Sequence, residues 1–238
     1  MSEALPLTRS IDRSFALILG LVVAAIVFYG FSHTVDHALI HYKSPPPPIL
    51  YVHVLLSSAW LFMFIAQSAL VSARNVRMHR RLGLWGLALG TAVVVVGYVT
   101  VIVMRHRDID TGGGDGAVAF LSIPLNSLLS FAVLFGLAAL WRKQTDRHRR
   151  LMILATCALT LAALARIPAI GHGPLALGIA DGLMIAAAVQ DWARTRRPHP
   201  VYLIGIPALF AAQLLSTYLA GAAPPAWMAV ARFLLRWT

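Results

Sequence analysis

Charge is the scarcest ingredient of this chain: 12% of its 238 residues are Asp, Glu, Lys or Arg, about half the share found in soluble domains. Hydrophobic types make up 59%, more than a water-soluble globule of this size can hide, because much of any globule's surface stays exposed. Lipid is the solvent that removes the difficulty. Cysteine is nearly absent. Cys157 stands alone, which excludes an intrachain disulfide, and its apolar setting marks an inert thiol. No glycine-rich phosphate loop and no nucleophile motif occurs. The last long apolar run contains no lysine, which excludes a retinal Schiff base. Only three histidines fall on the side read below as cytoplasmic, too few for a multi-histidine hydroxylase.

Acidic residues number nine against 20 basic ones, a formal charge of +11. The bases sit in short clusters between apolar runs. That is the pattern of membrane topology signals, which meet anionic lipid headgroups first, and it argues against nucleic acid as a partner. The first apolar run, Phe15 to Phe31, is longer than a signal-peptide core and lacks a small-x-small cleavage site, so it reads as a retained span.

A helix needs about 20 apolar residues to cross the hydrocarbon core. Spans are expected at Ser14–His33, Ile49–Val71, Leu82–Met104, Ala117–Trp141, Leu151–Pro168, Leu175–Gln190 and Val201–Leu219, the sixth being the shortest. The reading is therefore all-α: a polytopic transmembrane bundle of about seven helices. Fourteen of the 20 bases lie in the N-terminal segment and in the second-to-third, fourth-to-fifth and sixth-to-seventh connections. The positive-inside rule puts that face in the cytoplasm, with the N-terminus in and the C-terminus out. Residues 1–13 become a cytoplasmic segment, 14–219 the membrane domain and 220–238 an outer tail. Arg232 and Arg236 share one helical face of that tail, while Trp227, Phe233, Leu234 and Trp237 are apolar or interfacial, which predicts an amphipathic helix along the membrane surface. Pro45 to Pro48 predict a stiff extended spacer. Asp108 to Gly116 form an acidic, glycine-rich connector, whose Asp-x-Asp opening lacks the closing Glu of a calcium loop.

Polar side chains inside apolar spans mark inward faces. His53, Trp60, Gln67 and Arg74 recur every seven residues and share one face of the second span. Thr91, Tyr98 and Arg105 repeat the pattern in the third, Ser122, Asn126 and Ser130 make a stripe in the fourth, and Gln213 and Thr217 make one in the seventh. These faces either bond across helices or line a cofactor site or polar path. Gly86-x-x-x-Gly90, continued by Gly97, allows close helix approach. Arg166 and Asp181 lie at comparable depth in consecutive spans and are expected to pair, as a structural ion pair or a proton-handling one. His33, His37 and His41 are four apart; His33 and His37 with His53 form a candidate site for zinc, copper or iron. The alternative is histidines snorkelling to water beside Asp36.

His79-Arg80-Arg81-Leu82 and His148-Arg149-Arg150-Leu151 each open a span after a short basic turn, an internal echo that suggests two related helix pairs. The run His53-x6-Trp60-x6-Gln67, then His79-Arg80-Arg81-Leu82-Gly83, then His148-Arg149-Arg150-Leu151-Met152, resembles a broad family of bacterial multi-spanning inner-membrane proteins. The likeness covers roughly Val52 to His199-Pro200 and implies seven helices, with no activity attached; the histidines of the first span lie outside its pattern. A looser likeness is to diheme transmembrane cytochromes b. It implies heme b held by His79 with His148 on the inner side and by His53 with His33, His37 or His172 on the outer side, Trp60 and Gln67 lying along the same face. Three functions are carried forward: heme- or metal-binding electron transfer with quinone as a partner, small-molecule or proton-coupled transport through Gln67, Asn126, Asp181 and Gln213, and an assembly role beside other membrane subunits.

Overall fold

A computed structural model describes residues 6–41, 45–171 and 173–236, with side chains from Ser14 onward except at 37 and 38. The expectations for the His37 side chain, His172 and Lys43 fall outside those residues. The fold is 86% helical, with no strand among the described residues. The helices are α1 (Pro6–Ser32), α2 (Pro48–Ser72), α3 (Val76–Asp108), α4 (Gly114–Phe120), α5 (Ser122–Leu140), α6 (Thr145–Ala158), α7 (Leu161–Leu164), α8 (Pro174–Thr195), α9 (Pro200–Ala222) and α10 (Pro225–Leu235). Proline opens α2, α8, α9 and α10, a position whose N–H has no intrahelical partner to lose. Asn75 caps α3 by accepting from the Met78 amide at 3.1 Å.

Among the described residues, six segments are long and apolar enough to cross a membrane: Ser14–Ser32 of α1, α2, α3 with its continuation to Phe120, α5, α8 and α9. At most 28% of any such stretch is buried inside the protein, and Leu55, Leu140, Ile204 and Leu214 point outward. An apolar exterior of this extent matches a lipid solvent, where helices satisfy their own backbone.

The expected fifth span, Leu151–Pro168, is not one of the six. It is split into α6 and α7. Thr156 Oγ1 donates to the Met152 carbonyl at 3.0 Å and Thr160 Oγ1 to that of Cys157 at 2.7 Å. The second bond takes the carbonyl that the next helical turn would use, and such back-bonding bends helices. This interrupted segment is also the most enclosed: Leu154, Cys157, Thr160 and Ala163 have no exposed surface. A second break, at Leu121 between α4 and α5, lies three residues before Pro124, whose ring and missing N–H disturb the Phe120 carbonyl.

The basic connections meet at one end of the bundle, where Ser14 and Ser72 hydroxyls lie 2.8 Å apart and Arg150 meets Asp191. At the far end Gly30 of α1 abuts Ala163 of α7. The α6–α7 segment thus runs from one end to the other. Between them the core is aromatic: Trp60 stands edge-on to Phe131 and Phe135 at 5.0 and 5.4 Å. Gly90 makes room for it, since a Cβ there would overlap Phe135 and sit 2.9 Å from Trp60.

The tail forms the expected helix, α10, but one face packs on protein. Met228, Ala231 and Leu235 are buried against Ile102, Val118, Ala119 and Leu121, and Trp227 donates to the Ala119 carbonyl at 3.0 Å. Val230 and Phe233 remain outward.

Candidate functional site

The α2 face turns inward at His53, Trp60 and Gln67, as the seven-residue spacing predicts, whereas the fourth expected member, Arg74, lies past the end of α2 and is exposed. The Gln67 amide, oriented to satisfy both its ends, donates to His79 Nδ1 at 2.6 Å and to the His79 carbonyl at 3.2 Å. Its oxygen accepts from the Gly83 amide at 2.9 Å. His79 in turn lies within electrostatic range of His148. His148 Nδ1 donates to the Ala138 carbonyl at 2.8 Å, which leaves Nε2 as its unprotonated nitrogen when neutral. Each motif histidine thus reaches back to the helix before it, joining α2 to α3 and α5 to α6. Of the five expected heme-site residues, Gln67, His79 and His148 come together. Trp60 is a core side chain, with 3% exposure and its indole nitrogen unpartnered. The edge-on aromatic packing over Gly90 fills the interval around Trp60 on this face.

Of the metal site expected at His33, His37 and His53, the His37 side chain lies outside the described residues. The premise of that site was one continuous helix, whereas α1 stops at Ser32 and residues 36–40 form a π-turn. His33 Nδ1 donates to the Tyr29 carbonyl at 2.8 Å, and His41 Nδ1 meets Asp36 Oδ1 at 2.6 Å. His53 lies within electrostatic range of Arg166 instead.

Arg166 and Asp181 do not pair. Arg166 lays its guanidinium on the Phe31 ring, 4.5 Å from the centroid, and donates to the Ala162 carbonyl. Asp181 looks toward α9, where the Gln213 side chain meets its carboxylate. Its Oδ1 is buried without a hydrogen-bond partner. Asp181 lies seven residues into α8, about 10 Å along the helix. The helix that carries it, α8, packs on both α6 and α7, and α9 packs on α6. Other expected stripes divide. Ser122 donates to the Ser216 carbonyl at 2.8 Å, bonding α5 to α9, whereas Thr91, Tyr98 and Thr217 point outward. Tyr98 lines an apolar furrow of about 340 Å³ with Val94, Val95, Leu128 and Leu129.

One cluster was missed in the sequence. Asp191, 1% exposed, accepts from Arg150 Nε at 2.8 Å and Nη2 at 2.9 Å, and from Arg149 Nη2 at 2.9 Å. Arg150 is itself buried and donates to the Asp146 carbonyl at 2.7 Å. The signal was present: Ala176, Ala180, Met184, Ala187 and Asp191 form one buried helical stripe, and its last member is an acid among arginines. Beside it, Gln144, Thr145, Asp146, Arg147 and His199 line an open cleft of about 440 Å³. Burial first, then the Arg150 charge, holds the His199 imidazole below its ordinary range, with Asp191 and Asp146 opposing.

Comparison with protein-family models, curated proteins and solved structures returns no match.

Proposed function

We propose that the chain is a seven-crossing protein of the bacterial inner membrane that moves a small solute in exchange for, or together with, a proton or cation handled at Asp181. On this reading the α6–α7 segment is the seventh crossing, the basic end faces the cytoplasm, and the chain belongs with the HRRLG/HRRLM family it resembles. One observation carries the proposal: Asp181 sits among apolar helices with an amide as its partner and one oxygen left bare. A carboxylate so placed is neutralised by a proton or by a bound cation. The α6–α7 interruption beside α8 supports it, because broken helices accompany midplane sites in transporters.

The test uses proteoliposomes under an imposed pH gradient, offered a panel of radiolabelled small solutes with a trapped pH dye. Gradient-driven uptake of at least one solute is expected, with matching proton movement. Asp181→Asn, folded by circular dichroism and gel filtration, is expected to lose at least 90% of both, about 1.4 kcal/mol or more in rate terms. Uptake unchanged in that variant, or no gradient-driven uptake of any solute, rejects the reading.

A second reading, metal-based electron transfer, is favoured by the proximity of His79 and His148. Two imidazoles at the basic end supply part of a coordination shell for zinc, copper or iron. Purified protein titrated with Cu2+ is then expected to bind one ion per chain, with absorption and EPR signals of nitrogen ligation lost in His148→Ala. Stoichiometric binding unaffected by that substitution sinks this second reading.

A further inference from the structure

The open cleft beside Asp191 is walled by two connections, the α5–α6 turn with Gln144, Thr145, Asp146 and Arg147, and the α8–α9 turn with His199. Its volume, about 440 Å³, lies within the range of small-molecule sites. His199 Nδ1 accepts from the Val201 amide at 3.2 Å. A ring nitrogen that accepts carries no proton, so the imidazole keeps its single N–H on Nε2. That N–H has no hydrogen-bond partner among the described residues. Arg147 lays its guanidinium on the Trp141 ring, 5.0 Å from the centroid. Stacking occupies the face of the group and leaves its in-plane N–H fork for an anion. The Gln144 amide and the Thr145 hydroxyl add neutral donors to the same wall.

Charge around the cleft is one-sided. Residues 142–150 and 191–199 hold eight basic residues and two acids. Both acids are already engaged, Asp191 by Arg149 and Arg150, and Asp146 by Arg150 at 3.4 Å. Arg142, Lys143, Arg147, Arg194, Arg196 and Arg197 have no carboxylate partner among the described residues. The level of the cleft matches a lipid headgroup. The apolar helix α5 ends at Leu140, four residues before Gln144, and α9 begins at Pro200, directly after His199. Trp141 and the exposed Trp192 stand at the same helix ends, the place of interfacial aromatics. We propose that this cleft binds the phosphate of an anionic phospholipid. Arg147 and His199 Nε2 donate to the phosphate oxygens, charge-assisted bonds of the strong kind. Asp146, with 81% of its side chain exposed, accepts from a headgroup hydroxyl. A seated lipid ties the α5–α6 turn to the α8–α9 turn, independently of how Asp181 acts.

The experiment reconstitutes the full chain in phosphatidylcholine bilayers with a minor share of phosphatidylglycerol, extracts it in mild detergent and counts retained lipid by native mass spectrometry. Phosphatidylglycerol is expected to stay on the chain while phosphatidylcholine is lost. Arg147→Gln combined with His199→Ser removes both donors, and the serine keeps an acceptor for the α9 cap. Retention is expected to weaken about tenfold, the worth of one charge-assisted hydrogen bond. Arg197→Gln removes the same charge outside the cleft wall and is expected to change retention by less than about twofold. Unchanged retention in the double variant, an equal loss in Arg197→Gln, or phosphatidylcholine held as firmly overturns the site. Excess inorganic phosphate in the wash separates the two sources of the same group. Lipid that stays bound supports a headgroup site, and lipid released by the free anion refutes the lipid assignment. Should the double variant not fold, the lipid preference and the phosphate wash on the parent chain decide by the same outcomes.

Discussion

Replacing Asp191 with alanine is expected to lower the stability of the fold by about 3–5 kcal/mol, the range seen when one partner of a buried ion pair is removed. Arg150 is 3% exposed and fixed in register by the Asp146 carbonyl, so its guanidinium cannot swing out to headgroups or water. Without Asp191 it stays in place beside Arg149 with only the exposed Asp146 carboxylate, 3.4 Å away, as an acidic partner. Arg149 behaves differently. Its side chain keeps 29% of its surface exposed and can turn to solvent, so Arg149→Ala is expected to cost about 1 kcal/mol, the level of an exposed pair. Removing both buried members together, as Arg150→Met with Asp191→Leu, takes away the desolvation of each and is expected to recover most of the loss. Unfolding in mixed micelles, followed by circular dichroism against the SDS fraction, measures all four proteins. A shift below about 1 kcal/mol for Asp191→Ala means that water or lipid phosphate already reaches the cluster.

That cluster shows how far one dimension of sequence reaches. Span positions were legible because hydrocarbon thickness imposes a length on every crossing: α1, α2, α8 and α9 cover the expected stretches almost entirely, whereas α3 runs past Met104, α5 starts only at Ser122 and the fifth stretch is split. The inward face of α2 was legible because seven residues are almost two turns, so His53, Trp60 and Gln67 had to align. Depth alone misled at Arg166 and Asp181. The two stand at similar levels, but Asp181 is one residue past Ala180, about 100° around the helix. Ala180 packs on α7, so its neighbour looks to Gln213 on α9. Azimuth, not depth, selected the partner. The premise of the His33 stripe differs for a related reason: spacing of four is a contact only while the α-helix lasts, and α1 stops at Ser32. The α6–α7 break was hidden because threonine counts as nearly neutral in an apolar run, while its hydroxyl competes for the backbone carbonyl that the helix needs.

The close approach of α1 to α7 gives the sharpest contrast between glycines that look alike in sequence. Gly30 lies in the last turn of α1 against the backbone of Ala163. A Cβ there would overlap the Ala163 carbonyl oxygen and sit 2.8 Å from its carbon. A side chain can rotate away from an intruder; a carbonyl inside a helical turn cannot, so α1 itself has to move. Gly30→Ala is therefore expected to cost about 3 kcal/mol, the upper part of the range for overpacking. Gly182, in α8, has nothing within 4 Å of its Cβ position. Gly182→Ala is expected to be neutral or to stabilise by up to about 1 kcal/mol, the helix-propensity gain. The same micelle titration separates the two, and equal midpoints for both variants contradict the contact. Displacement of α1 has a consequence beyond stability, because Phe31, next in sequence, is the ring on which Arg166 rests. Moving that ring removes about 0.5–2 kcal/mol of cation–π attraction and frees the guanidinium to approach His53. Gly30→Ala should then change the environment of Arg166 and His53 at the far end while leaving the Asp191 cluster untouched. Histidine-selective 15N shifts can resolve that pattern, and a perturbation spread evenly over both ends would argue against it.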